Sequence, residues 1–319
     1  MTAEEFGQAL VQLGCKVPAG GISPPRTLVF FGDAPGDDLL CTTVLRELKR
    51  RCHADVWMAT RHPELFARNG DVDQLVAPQE PLMRYLQQIG TRIVVPRYAP
   101  HDWQNDQDPI PKAHILAIMC AAAGVTGPVT LRPYLELSPD DKAYGRFGEK
   151  QIAVQTSGMG ARFAMRNKEW LPERFAEVAA ALRPEYTVVQ LGAASDPPLV
   201  GAVDLRGKTS SRQAAGVIWN SLAFVGLVGF LMHLARAVGR RSVIVYGGRE
   251  QPWQSGYACN ENVTRQPACS PCWRWNTCGH DHECMTGIGS ELVTRAVGNC
   301  VARFAEPLIT ETLTIAPPP

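Results

Sequence analysis

Five of the ten cysteines in this 319-residue chain fall between Cys259 and Cys284, with His280 and His282 among them. Their order is Cys259, then the pair Cys269 and Cys272, then Cys278 and Cys284. A Cys-x-x-Cys knuckle with further thiolates in reach is a donor set that suits tetrahedral zinc or iron. Five thiols for four positions leave the set open: Cys259, Cys269 and Cys272 with either Cys284 or Cys278. Buried thiols without a metal are the competing reading. Disulfides come last, because the chain reads as cytoplasmic. Trp273 and Trp275, inside the knuckle, read as a packing cap, with stacking on an acceptor as the alternative. The remaining cysteines, Cys15, Cys41, Cys52, Cys120 and Cys300, sit in apolar or helical contexts and read as small buried hydrophobes.

A second chemical signal is a pair of glycine-punctuated strand-to-helix turns. One reads TLVFFGDAPGDDLLCTTVLRELKRR, residues 27–51, and the other LAFVGLVGFLMHLARAVGRRSVIVYGG, residues 222–248. Each puts an apolar, β-prone run ahead of glycines and a helical pattern, which is how an α/β domain aims a helix N-terminus at a ligand's phosphates. Two such turns, far apart, point to two nucleotide-binding-type domains facing one cleft. The first turn carries Asp33, Asp37 and Asp38. A carboxylate opening onto the cleft there can take the proton of an attacking hydroxyl. An Asp at a helix start more often caps it, and position alone favours that role for Asp37. Asp38 reads as a helix-start charge facing the macrodipole. In the second turn the amides near Gly229 are free for a ligand, with Met232 and His233 beside them. His233 reads equally well as a satisfied histidine packed on an apolar helix.

These groups need rigid elements to hold them. Hydrophobic residues make up 45% of the chain and charged residues 20%, enough for two ordinary domain cores. A net charge of +1 argues against a general polyanion binder, so no nucleic-acid partner is expected. The first residues, Met1 to Ala19, lack the apolar core of a signal peptide. The longest apolar run, Leu222 to Ala235, is too short to span a bilayer. After an N-terminal helix and the connector PAGGISPP, strands are expected at Thr27–Phe31, Val56–Ala59 and Arg92–Pro96, with a helix from Asp38 to Arg51. The polar, turn-rich segment 137–150 marks a domain boundary. Beyond it, strands at Ile152–Thr156, Tyr186–Leu191, Ala223–Gly226 and Ser242–Tyr246 alternate with helices at Pro172–Leu182, Ser210–Trp219 and Ser290–Phe304. That alternation is the mark of parallel sheets with helices on both faces. The APPP tail is expected to fray.

Six short blocks, in order, resemble the bacterial heptosyltransferase family. They are GDDLLCTTVLRELKRR, HPELFARNGDVDQLV, IAVQTSG with NKEWLPERFAEVAAAL, VDLRGKTSSRQAAGVI, VGLVGFLMHLARAVGRRSVIVYGG, and CSPCWRWNTCGHDHECM. They cover residues from about 27 to 300. The resemblance implies the α/β GT-B fold: two Rossmann-like domains facing an interdomain cleft. Residues 1–145 would be the acceptor side. Residues 146–319, with a Cys-rich insertion at 259–284 and a C-terminal helix, would bind the nucleotide sugar. It implies an inverting glycosyltransferase that moves a heptose-type sugar from a nucleotide donor, an ADP-linked one foremost, to a hydroxyl of lipopolysaccharide, protein or a small molecule. It puts Asp37 in the place of the family's essential aspartate, reversing the capping odds. Lys168, before Trp170, becomes the first phosphate ligand, and Thr156, Ser157, Gly158, Arg166, Gly229, Met232 and His233 become donor contacts; Arg162 is a weaker helper. Some relatives carry an iron-binding finger near the Cys-rich stretch, so structural iron or zinc is the implied cofactor, with a homo-oligomer as an open assembly state. The chain departs from the family in the second turn. Leu227, Val228, Gly229 and Phe230 stand where relatives have an Asp with Ser or Thr. That loss motivates the alternative, a catalytically degenerate nucleotide- or sugar-binding or assembly module of the same fold. An epimerase-type Rossmann protein ranks below both, for want of a Gly-x-Gly-x-x-Gly turn with a ribose-binding acid.

Overall fold

The computed structural model describes residues 2–17, 22–52 and 55–317, without the side chain of Cys52. Residues 18–21 of the connector and the last two prolines of the tail lie outside it. A first sheet contains β1 (Thr27–Val29), β2 (Val56–Ala59), β3 (Gln74–Val76) and β4 (Arg92–Val94), all parallel, in the order β3-β2-β1-β4. Strand β5 (Gly127–Thr130) stands apart from it. A second sheet contains β6 (Gln151–Gln155), β7 (Thr187–Leu191), β8 (Val203–Asp204), β9 (Ala223–Leu227), β10 (Ser242–Tyr246) and β11 (Glu261–Thr264). It is also parallel, in the order β11-β10-β9-β6-β7-β8. The last strand, β12 (Thr312–Ile315), returns to pair antiparallel with β5.

The apolar runs that form β6, β9 and β10 are buried on both faces, as parallel strands require. Helices cover each side. Phe6, Trp57, Leu82 and Leu86 build a core on the outer face of the first sheet. Trp170, Phe175, Val178, Val293 and Val297 build one on the outer face of the second. Between the sheets lies a larger core that draws on both: Val29, Val44 and Met58 share it with Val189, Phe224 and Ile244. Here helix Pro35–Cys52 packs against helix Phe230–Ala237, so the two helices that follow the two glycine turns meet directly. Segment 138–145 lies against helix Ser211–Trp219, tied by the Arg212–Asp141 ion pair and by Asn220, which donates to the Lys142 and Tyr144 carbonyls. Gly145 has φ +86°, and a Cβ there would come within 2.6 Å of Val217, so glycine is required at this crossing.

The sequence-expected strands and helices are present with ends shifted by a few residues. Strands β3, β5, β8, β11 and β12 add to that list. They are two to four residues long. Phe224, fully buried on a central strand in the core shared by both sheets, should matter to the whole chain. Phe224→Ala is expected to cost about 3–5 kcal/mol, read as a lower midpoint in urea unfolding.

Candidate active site

A cavity of about 690 Å³ opens between the two sheets. Its walls come from both halves: Asp37, Tyr98 and His101 on one side, Lys168, Gly229 and Glu250 on the other. It lies where parallel strands run out into loops, the usual ligand position in open α/β folds.

Asp37 is the third residue of helix Pro35–Cys52 and lines the cavity. The Tyr98 hydroxyl donates to its Oδ1 at 3.2 Å. Burial pushes this carboxyl up to about 7, against the Tyr98 hydrogen bond; the Asp38 charge adds to the rise and Lys168 opposes it. A carboxylate at that value is half-ionised near neutral pH and basic enough to accept a hydroxyl proton. Its neighbours are committed elsewhere. Asp33 pairs with Arg61 at 2.6 Å and with Arg162, from the opposite wall, at 2.8 Å. Asp38 lies in the first turn of the helix, as the sequence suggests. It is fully buried, accepts from the Thr60 hydroxyl at 2.5 Å, and is pushed up to about 6 by burial.

Lys168 closes the short 3₁₀ turn Arg166–Lys168. Its ammonium pairs with Glu250 at 2.8 Å, and burial draws its pKa down. Glu250 also takes a hydrogen bond from Arg249 at 2.9 Å. Burial alone would raise the Glu250 carboxyl, but Lys168 and Arg249 outweigh it and hold it at about 2. Arg249 in turn reaches Asp108 at 2.5 Å and lies over the Trp273 ring, 4.5 Å from its centre. Asp108 is bound also by His101 Nδ1 at 2.8 Å and by the Trp275 indole at 2.9 Å. The result is a row of alternating charge, half-buried Lys168 followed by buried Glu250, Arg249 and Asp108, that passes from one wall to the other. Tyr98, His101, Asp108, Arg249 and Glu250 are absent from the sequence-derived set. Arg249 and Glu250 had a visible signal: they follow strand β10 and two glycines, at a strand's C-terminal end.

The expected donor contacts divide. Ser157, Gly158, Gly229 and His233 line the cavity; Thr156, Arg166 and Met232 are not among its lining residues. Thr156 is buried, donating to the Pro197 carbonyl and accepting from Gln190. Met232 is in the core, where its sulfur accepts from Tyr246. The Ser157 hydroxyl and the Gly158 N–H both donate to Glu169, each at 2.7 Å, so an internal carboxylate already occupies these donors. His233 Nδ1 shares a 2.7 Å hydrogen bond with the Tyr257 hydroxyl, and burial holds the ring's pKa down at about 3, hence neutral. Leu227 and Val228 are buried, and Phe230 packs its backbone near Gly36, two helices meeting beside Asp37. Asp196, also missed from the sequence, lines the cavity with Oδ1 buried and unpartnered, while Oδ2 accepts from the Ala193 N–H at 3.0 Å.

A second cavity, of about 520 Å³, is lined by Cys269, Cys272, Cys278 and Cys284 together with His280 and His282. Cys259 does not join them. It is fully buried in the central core, with its thiol directed to the Asn260 side chain. Donor atoms of Cys269, His280 and Glu283 lie within 4.8 Å of one another. Burial raises the Cys272 and Cys284 thiols, so a cation is what would make them thiolates. Cysteine and histidine donors lining one pocket are of the chemical type that suits zinc or iron. Arg249 lines both cavities.

Residues 133–278 match the family model for glycosyltransferase family 9, the heptosyltransferases. No match was found among curated proteins. Solved structures similar to this chain include E. coli ADP-heptose lipopolysaccharide heptosyltransferase II, at 20% identity and a TM-score of 0.66, covering 87% of this chain and 99% of that one. The iron-containing dodecameric glycosyltransferase TibC, from enterotoxigenic E. coli, matches at 17% identity and a TM-score of 0.71, over 90% of this chain and 81% of that one. A family 9 glycosyltransferase from Veillonella parvula matches at 13% identity and 0.63, over 88% and 97%. The structural likenesses show the GT-B fold, and with the family match they bear out the resemblance to heptosyltransferases and the assignment of the chain as a glycosyltransferase.

The charge row should be sensitive to the loss of any one member. Glu250→Gln leaves Lys168 and Arg249 short of a counter-charge and is expected to destabilise the fold by about 3–5 kcal/mol. In the unsubstituted chain, the Glu250 contribution is complete above the carboxyl's ordinary value of 4.5 and is lost as pH falls towards about 2. Urea unfolding of both proteins across that range checks the two statements together.

Proposed function

We propose that this chain transfers a heptose-type sugar from an ADP-linked donor to a hydroxyl acceptor, with inversion at the anomeric carbon. One similar structure is described as an iron-containing heptosyltransferase in complex with ADP-D-β-D-heptose. The observation that carries the reading is Asp37: a carboxyl held at about 7 in the cleft, with the Lys168 ammonium acting on it from the opposite wall. The acceptor oxygen attacks the anomeric carbon as the bond to the donor diphosphate breaks. The hydroxyl proton passes to Asp37, and the electron pair leaves with the diphosphate. One displacement inverts the centre. Lys168 and the N–H groups at the start of helix Phe230–Ala237 face the departing charge. For Ser157 and Gly158 to take phosphate oxygens, Glu169 must release them. Acceptors from lipopolysaccharide, protein or a small molecule are all consistent with this chemistry. Residues 1–145 would present the acceptor and 146–319 the nucleotide sugar, in a cytoplasmic enzyme. No described helix is long and apolar enough to cross a membrane.

Cys269, Cys272, Cys278 and Cys284 are the residues we assign to a structural iron or zinc. The metal would cross-link the loop and take no part in transfer. Elemental analysis of purified protein is expected to give about one equivalent of one of these metals, falling below half in Cys272→Ser.

A second reading is favoured by specific observations: Leu227 and Val228 make the second turn apolar, and Lys168, Ser157 and Gly158 are engaged internally. It is a binding module that holds a nucleotide or sugar without turnover. The two separate in mass spectrometry of reactions with a panel of nucleotide sugars. Transfer is expected, and Asp37→Asn should lower kcat by about 10²–10⁴. The wild-type rate should rise through pH 7 and level off above it, because Asp37 acts in its ionised form. ADP binding with no product from any donor would favour the module. A rate unchanged by Asp37→Asn would remove the base assignment.

A further inference from the structure

The Cys-rich insertion does more than enclose a pocket. Its segment 272–277 lines the cleft through Trp273 and Trp275 and is bonded to both walls. On the front wall, Asp106 Oδ2 accepts from the Asn276 N–H at 2.8 Å, the Thr277 N–H at 2.7 Å and the Thr277 hydroxyl at 2.9 Å. Its own carbonyl accepts from the Trp275 N–H. The Gln107 side chain donates to the Cys272 carbonyl at 2.8 Å, and the Asp108 N–H donates to the Trp273 carbonyl at 2.9 Å. On the rear wall, the Asn167 N–H donates to the Trp275 carbonyl at 2.9 Å, and its side-chain amide donates to the Arg274 and Thr277 carbonyls. His282 Nε2 bonds Asn167 Oδ1 at 2.8 Å. The Cys272 and Trp273 N–H groups donate to the Gly248 and Arg249 carbonyls.

Two details give this tie a bearing on chemistry. Asn167 is buried and immediately precedes Lys168. The Arg249 carbonyl that holds Trp273 immediately precedes Glu250, the partner of Lys168. On the other side, Asp106 sits in the loop that carries Tyr98, His101 and Asp108. Asp106 adopts φ +51°, a left-handed conformation that Asp tolerates at some cost. Its carboxylate makes charge-assisted hydrogen bonds, roughly twice as strong as neutral ones.

We propose that segment 272–277 is a tie between the walls of the cleft, and that Asp106 and Asn167 are positioning residues that set Lys168 and Glu250 against Asp37. Neither touches the reacting atoms; each acts through the tie. The proposal that this matters for turnover rests on the transfer reading above, whereas the tie itself does not.

The test is amide hydrogen exchange, by mass spectrometry, on the full chain with Asp106→Ala and with Asp106→Asn. In Asp106→Ala, exchange should quicken about tenfold or more in 97–108 and in 165–170, while helices 172–182 and 290–302 keep wild-type protection and so report an intact fold. Asp106→Asn keeps an acceptor oxygen and should restore most of that protection. With a donor identified, kcat in Asp106→Ala should fall by about 10–100-fold, while ADP affinity by calorimetry changes less than about threefold. Faster exchange confined to 272–277, or a wild-type kcat, overturns the proposal. If the wild-type chain turns over no donor, the transfer reading fails, and the exchange result still decides whether the tie exists.

Discussion

Everything at the cleft depends on one electrostatic constraint: charges taken out of water must be neutralised by neighbours in a fixed order. Lys168, Glu250, Arg249 and Asp108 meet it by alternating sign across the boundary between the halves. No member can be moved alone without leaving a bare charge beside it. The row therefore fixes the lysine's position and the strength of its field on Asp37. It also explains how two carboxylates in one site come to differ so widely. Glu250 has two cations in contact and stays ionised to about pH 2. Asp37 has a phenol in contact and only a distant cation, so burial prevails and its carboxyl titrates near neutrality.

The rear wall is similarly self-contained. Glu169 holds the Ser157 hydroxyl and the Gly158 N–H, and apolar side chains fill the turn before helix Phe230–Ala237. An incoming diphosphate meets donors already in use rather than an open anion hole. Exchange of one carboxylate for a more highly charged ligand is a feasible replacement, since the hydrogen bonds are kept in number. It also means that weak anions gain little there.

The long elements were legible in the sequence because periodicity reports burial. The β6, β9 and β10 runs and the helices at 172–182 and 290–302 all carry clear apolar patterns. Strands β3, β8 and β12 carry little, being short and only partly buried. The candidate site was legible only where a local motif marked it. Asp37 and Lys168 stand beside recognisable blocks. The partners that set their properties do not: Tyr98 and Glu250 come from loops 61 residues after Asp37 and 82 after Lys168 in the chain, joined only by folding. Cysteine spacing gave a pool of ligands, yet it could not reveal that Cys259 turns into the core while the other four line one pocket.

Strand β12 brings the far end of the chain back to the front half, where it pairs with β5. A ribosome releases β5 long before its partner exists. During synthesis the front half must therefore wait with one strand edge unpaired, while the entire rear half emerges and folds. Proline at position 128 limits that exposed edge, since its nitrogen has no hydrogen to offer a passing strand. The closing of the front half is thus deferred until residues 312–315 have been made, and a chain cut short before residue 312 would keep its sticky edge for good.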